Sequence, residues 1–267
     1  MVISMSKKLL IIALIVVVVA VAAVLYLYVF KEKGIVEKIK ERGYIVVGTS
    51  ADFPPFEMVN EKNEIVGLDI DIAKKIAEKL GVKLVVKDIK FEGLIPALLS
   101  GDVDLVIAGM TITDERAKVV DFSIPYFEAD QAVIVLKDRT DMNSVEDLVG
   151  KKIGVQEGTT GDFWVTDNLV EKGKVKKEDV KRFGKFTVAL LELKKGGIDA
   201  VVMDKPAAEM YTKLDNSLKV AVIIKTGEKY GIAVKKGNKD LLDIVNKVLD
   251  ELIKSGEMEK LIKKWFG

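Results

Sequence analysis

The chain contains no cysteine and no histidine. The first absence excludes disulfides, thiolate metal sites and a lipid-modified cysteine. The second excludes a Ser-His-Asp triad and any imidazole metal site. An excess of one charge is also missing: 42 Lys and Arg face 41 Asp and Glu, so no basic field is available to draw in nucleic acid. No P-loop motif occurs, so the chain is not itself an ATPase of that type. What is abundant is charge of both signs, 31% of 267 residues and mostly Lys and Glu, a bias that fits a thermophile. The length suits one large domain or two smaller ones, each able to bury a core.

One long apolar run stands at the N-terminus, Leu9–Phe30. At ~1.5 Å rise per residue a helix of that length crosses a ~30 Å hydrocarbon core. Lys7 and Lys8 before it keep the start in the cytoplasm, and Tyr26 and Tyr28 suit an interfacial belt. A cleaved signal segment is the rival reading, with Ala20-Val21-Ala22 as its site. Cutting there leaves Val24–Phe30 exposed on the mature protein, which favours a retained anchor.

The rest is organised around Leu105–Arg116 and its continuation Asp121–Tyr126. Val103–Ala108 is a short apolar run of the kind buried on both faces of a parallel sheet. Gly109 permits close approach of backbone, Thr113 can cap the helix that follows, and Arg116 lies near its start. A guanidinium there can hold a carboxylate by two bonds, or simply pair with Asp114 or Glu115. Strands are expected at Tyr44–Gly48, Val82–Val86, Gln131–Leu136, Lys152–Gln156, Ile198–Met203 and Tyr230–Val234. Helices are expected at Asp69–Leu80, Phe91–Leu99, Thr187–Lys195, Asp240–Lys254 and Glu257–Phe266. Gly81 is a stop, Ser144–Asp147 a capping box, and Thr49–Phe56 a loop stiffened by two prolines, in which Phe56 packs inward.

Two segments echo each other. Ala97–Gly109 lies on Glu192–Asp204 when Gly101 is matched to Gly196, so that helix, glycine, aspartate and strand recur in step. Gly109 and Asp204 then stand at equivalent strand ends of two α/β lobes. Ligands bind at such ends in open α/β sheets.

Gly48–Glu57, Gly67–Asp71, Gly109–Arg116, Asp121–Ser123, Gln156–Thr160 and Lys264–Gly267 resemble the polar amino acid solute-binding proteins of ABC importers, family 3, with the type II periplasmic-binding-protein fold. The likeness runs from Ile35 to Gly267. It implies an α/β fold of two lobes, each a mostly parallel sheet flanked by helices, behind the N-terminal transmembrane helix. Residues 1–32 are then the anchor or signal segment, 33–125 plus 230–267 the first lobe and 131–225 the second, with hinges at 126–130 and 226–229. It further implies capture of an L-amino acid in the interlobe cleft and delivery to an ABC permease, on the outer face of the cytoplasmic membrane. The chain would be a monomer without cofactor or metal, and not an enzyme.

Carried over by residue, Arg116 holds the ligand α-carboxylate, helped by Thr111 and the N–H groups of Thr111 and Thr159. The ammonium meets Asp204, the Gly109 carbonyl and the Thr111 hydroxyl, and Phe53 and Phe91 enclose the ligand side chain. Ser50, Gln156 and Thr160 complete the set. Ser50 replaces a frequent aspartate and Gln156 a lysine of glutamine-binding relatives, so arginine or lysine, and glutamine, both remain open. Asp52 and Glu57 are near enough in sequence to restore the lost negative charge. Two other classes are compatible with the same residues. One is a cleft enzyme like the cyclohexadienyl dehydratases of this fold; the other is a membrane-tethered sensor, for which Met1–Lys8 leaves no room for an output module.

Overall fold

The computed structural model describes residues 12, 14–20 and 33–267. The expected anchor Leu9–Phe30 falls largely outside them. Residues 12 and 14–20 are helical, and among the described residues no helix is long and apolar enough to cross a membrane.

Two five-stranded sheets, each flanked by helices, form two lobes. The first has the strand order Lys83–Asp88, Tyr44–Thr49, Leu105–Val106, Ala233–Lys235, Val120–Phe122. The second runs Val180–Phe183, Ile153–Gln156, Ala200–Asp204, Phe127–Leu136, Leu218–Tyr230. Tyr44–Thr49 is β-branched and buried after its first residue, as a strand covered on both faces should be. Helix Leu68–Leu80 buries Ile72, Ala73, Ile76 and Leu80 against Val245, Leu249 and Leu252 of helix Lys239–Lys254. It stops at Gly81, whose left-handed φ of 73° lets its N–H reach the Ala77 carbonyl.

The sheets are mostly parallel, as expected, with one reversed strand in each. In each, the first three strands in the order and the last run one way, and the fourth, Ala233–Lys235 in the first sheet and Phe127–Leu136 in the second, pairs antiparallel with both its neighbours. The cause is topological. Phe127–Leu136 and Ala233–Lys235 enter their sheets after crossing between lobes, from the end toward which the parallel strands point, and so run against them.

The two crossing stretches pair with each other. Phe127, Glu128 and Ala129 face Tyr230, Lys229 and Glu228, beyond an irregularity between Ile224 and Glu228 that contains Gly227 at φ 61°. The expected hinge segments 126–130 and 226–229 therefore lie in this ribbon. Two strand boundaries also differ from expectation. Tyr230 closes the strand Leu218–Tyr230 instead of opening the next one, because Gly231 turns to donate to the Met110 carbonyl at 3.0 Å. Only Leu105–Val106 of Val103–Ala108 pairs as a strand; Ile107–Met110 leaves the sheet toward the cleft.

Candidate functional site

Between the lobes lies a narrow cleft. Its walls are Ser50, Phe53, Glu57, Phe91, Ala108, Gly109, Thr111, Arg116, Gln156, Thr159, Thr160, Phe186 and Asp204. Every residue predicted to contact a ligand is on this wall. Ala108 and Phe186 were not predicted, and Glu57 but not Asp52 is present.

Arg116 is 7% exposed. Thr113 caps its helix as expected, the Arg116 N–H donating to Thr113 Oγ1 at 3.2 Å. The guanidinium pairs with neither Asp114 nor Glu115. Its Nη1 donates to the Thr111 carbonyl at 2.7 Å, and its Nη2 crosses the cleft to the Gly158 carbonyl at 3.0 Å. Its central carbon sits 5.2 Å from the Phe91 ring centre, within the range where a cation is drawn to an aromatic face. Burial lowers its pKa to about 10, against the pull of Asp204 and Glu228, so it remains a cation at neutral pH.

Opposite stands Asp204, at the end of strand Ala200–Asp204 and 4% exposed. It accepts from the Tyr230 hydroxyl at 2.5 Å. Burial first, and the charge of Glu228 second, raise its pKa to about 7. Gly109 lies beyond the end of the equivalent strand of the other lobe, Leu105–Val106, in the segment that leaves the sheet toward the cleft. Its φ is 51°, and a Cβ on it would meet the Phe53 ring at 2.5 Å, so both backbone and space require glycine. Its N–H donates to Asp69 Oδ2 at 2.8 Å.

Phe53 stacks on Phe56 and Phe186, ring centres 5.4 and 5.9 Å away. Phe56 is fully buried, packed edge-on to Phe127 and Phe266. Below these rings lie two buried acids. No donor among the described residues reaches either oxygen of Glu57. Burial and the charge of Asp69 push its carboxyl well above the usual range. Asp69 also takes the Tyr126 hydroxyl at 2.9 Å, and burial raises its pKa to about 6.

Asp52 turns away from the cleft. Its carboxylate accepts from the Phe186 N–H at 2.5 Å and from Ser50 Oγ at 3.1 Å, and its carbonyl accepts from the Tyr211 hydroxyl at 2.7 Å. It thus fastens one lobe to the other, as does Lys185 to Asp88 at 2.7 Å. Gln156 donates through Nε2 to the Gly184 carbonyl at 3.1 Å, which leaves its oxygen for the cleft. Thr159 caps helix Thr160–Val165, and its own N–H makes only a long 3.4 Å bond, to the Gln156 carbonyl.

The model of the bacterial extracellular solute-binding proteins, family 3, matches residues 45–267. The chain belongs to this family. It is 40% identical to the arginine-binding extracellular protein ArtP of Bacillus subtilis over 224 residues, 83% of this chain and 86% of that one. Holo ArgBP from T. maritima is 49% identical in sequence and matches in structure with a TM-score of 0.78, over 86% of this chain and 99% of that one. An ancestral arginine-binding protein bound to glutamine is 51% identical with a TM-score of 0.79, over 85% and 99%.

In this family 3 protein two positions at or behind the cleft wall escaped the sequence. Phe186 sits at a helix start far from any motif, and Glu228 lies behind the cleft on the crossing strand. No local pattern marks either; only the pairing of the lobes brings them to the site.

Proposed function

We propose that the protein captures a polar L-amino acid, with L-arginine the best fit, and hands it to an ABC permease. The observation that carries this is the opposition of Arg116 and Asp204, two buried groups of opposite sign on facing walls of one cleft. A zwitterion has that pattern: a carboxylate for the guanidinium and an ammonium for the carboxyl. Desolvated charge-assisted bonds of this kind contribute ~1.5–3 kcal/mol each. Phe53, Phe91 and Phe186 enclose the ligand side chain. Glu57, a cleft carboxyl without a donor, supports a cationic tip, because a guanidinium supplies the hydrogen bonds that it lacks and favours its ionised form.

Glutamine is the second reading. The free oxygen of Gln156 accepts from an amide, and Glu57 then meets no cation. The lobes, 33–125 plus 230–267 and 131–225, close about the ribbon segments 126–130 and 226–229. The run Leu9–Phe30 tethers the chain to the outer face of the cytoplasmic membrane, the protein acts as a monomer, and it does no chemistry itself. Calorimetric titration of the full chain in detergent with the common L-amino acids tests the binding claim. Absence of heat with every one of them rejects it.

A further inference from the structure

Glu228 stands behind the cleft wall, on the strand Leu218–Tyr230 where the chain crosses between lobes. One of its carboxylate oxygens accepts from two threonine hydroxyls, Thr111 Oγ1 at 2.7 Å and Thr160 Oγ1 at 2.6 Å. The other accepts from Gln131 Nε2 at 3.0 Å. Thr111 follows the strand Leu105–Val106 of the first sheet, and Thr160 opens a helix of the second lobe, so a single oxygen gathers hydroxyls from both.

A hydroxyl carries one proton and two lone pairs. With both protons directed at Glu228, Thr111 and Thr160 can offer the cleft lone pairs alone. Their oxygens lie 3.4 Å apart, and neither needs to donate to the other. Both line the cleft, together with Asp204. The result is a cluster of acceptors. It matches a primary ammonium, which has three donors and no acceptor, and it mismatches a carboxylate.

We propose that Glu228 is a positioning residue that makes the cleft select an α-ammonium group, by holding the protons of Thr111 and Thr160 so that both hydroxyls must accept. This rests on the amino-acid reading above. It also assigns the Thr111 hydroxyl to the ammonium only, and leaves the carboxylate to Arg116 and backbone N–H groups.

Gln131 separates this role from that of simple negative charge. Its Oε1 has no donor among the described residues, so turning the amide over gives up only what Nε2 supplies to Glu228, to Asp204 and, at 3.4 Å, to Thr160 Oγ1. In Glu228→Gln the new amide oxygen retains both hydroxyl protons, and its NH₂ faces Gln131, whose reversed oxygen accepts it. The hydrogen-bond sense survives while the charge is lost. In Glu228→Leu nothing accepts, and the threonine protons are released toward the cleft.

The test is calorimetric titration of the full chain in detergent with L-arginine and with 5-guanidinopentanoate, which keeps the carboxylate and guanidinium but lacks the ammonium. L-Glutamine and its deamino counterpart serve if the wild type prefers glutamine. The ratio of the two affinities measures ammonium selectivity. Glu228→Leu is expected to lower that ratio by about tenfold or more, and Glu228→Gln to keep it within about threefold of the wild type. A weakened hinge affects both ligands alike and leaves the ratio unchanged. An unchanged ratio in Glu228→Leu overturns the proposal, and so does a ratio in Glu228→Gln that falls as far as that of Glu228→Leu. If Glu228→Leu does not fold, Glu228→Ala is judged by the same criterion. A wild-type chain that binds no amino acid overturns the reading beneath and this inference with it; wild-type binding with an unmoved variant ratio overturns this inference alone.

Discussion

The two ends of the cleft hold buried acids in opposite conditions. At one end Asp204 accepts from Tyr230, and Glu228 accepts from Thr111, Thr160 and Gln131. At the other end Glu57 receives no hydrogen bond at all among the described residues, and burial pushes its carboxyl well above the usual range. An acid already held by protein donors is fixed in place and suited to a part of the ligand that never varies. An acid held by none is free to change state with its partner. On the proposed reading the first end takes the α-ammonium that all amino acids share, and the second takes the side-chain tip that distinguishes them.

The largest effect that breaks this comparison is expected from Asp204→Asn. It keeps the shape and removes the counter-charge of the ammonium, so amino acid affinity should fall by about 100-fold or more in calorimetric titration. A loss below about fivefold would place the ammonium elsewhere. Next comes Glu57→Gln, which should weaken L-arginine by about 10- to 100-fold while changing L-glutamine by less than about threefold. Equal losses for both ligands would mean that Glu57 supports the fold and does not read the side chain.

The pH dependence should separate the ends further. A carboxyl with a raised folded pKa binds more protons in the native state, so it favours folding at low pH and that contribution is lost as pH rises through the folded value. For Asp204 the window is from its ordinary value near 3.8 up to about 7, and for Asp69 from 3.8 up to about 6. A cationic ligand group needs the ionised form, so amino acid affinity should rise with pH and be about tenfold weaker one unit below the Asp204 pKa than well above it. Asp204→Asn should flatten that rise, and a wild-type affinity that falls between pH 5.5 and 8 contradicts the assignment. The smallest expected effect is that of Asp52→Asn. Its carboxylate faces Phe186 and Ser50, not the cleft, so L-arginine affinity should stay within about threefold.

Asp52 and Glu57 also mark where the sequence stops being legible. The strands, the Thr113 cap, the Gly81 stop and the placement of Asp204 at a strand end follow from periodicity and local backbone chemistry, and all have counterparts in the structure, whereas Gly109 lies past the end of its strand. The two acids lie in one short motif with equal claims to the cleft. What decides between them is remote: the Phe186 N–H and the Tyr211 hydroxyl reach Asp52 from the other lobe and turn it away. The same holds for sheet direction. Each antiparallel strand follows from a crossing between lobes, a property of the whole path that no window of residues contains. Glu228 was invisible for the same reason, since its partners Thr111, Thr160 and Gln131 come from distant parts of the chain.

The most direct test of the central claim is to titrate L-arginine into the full chain and into Arg116→Ala, in detergent and at pH 8, where Asp204 is ionised. The account predicts saturable one-to-one binding by the wild type, and a loss of about 100-fold or more when the guanidinium is removed. Equal binding by Arg116→Ala, or no binding by the wild type to arginine or any other amino acid, would contradict it.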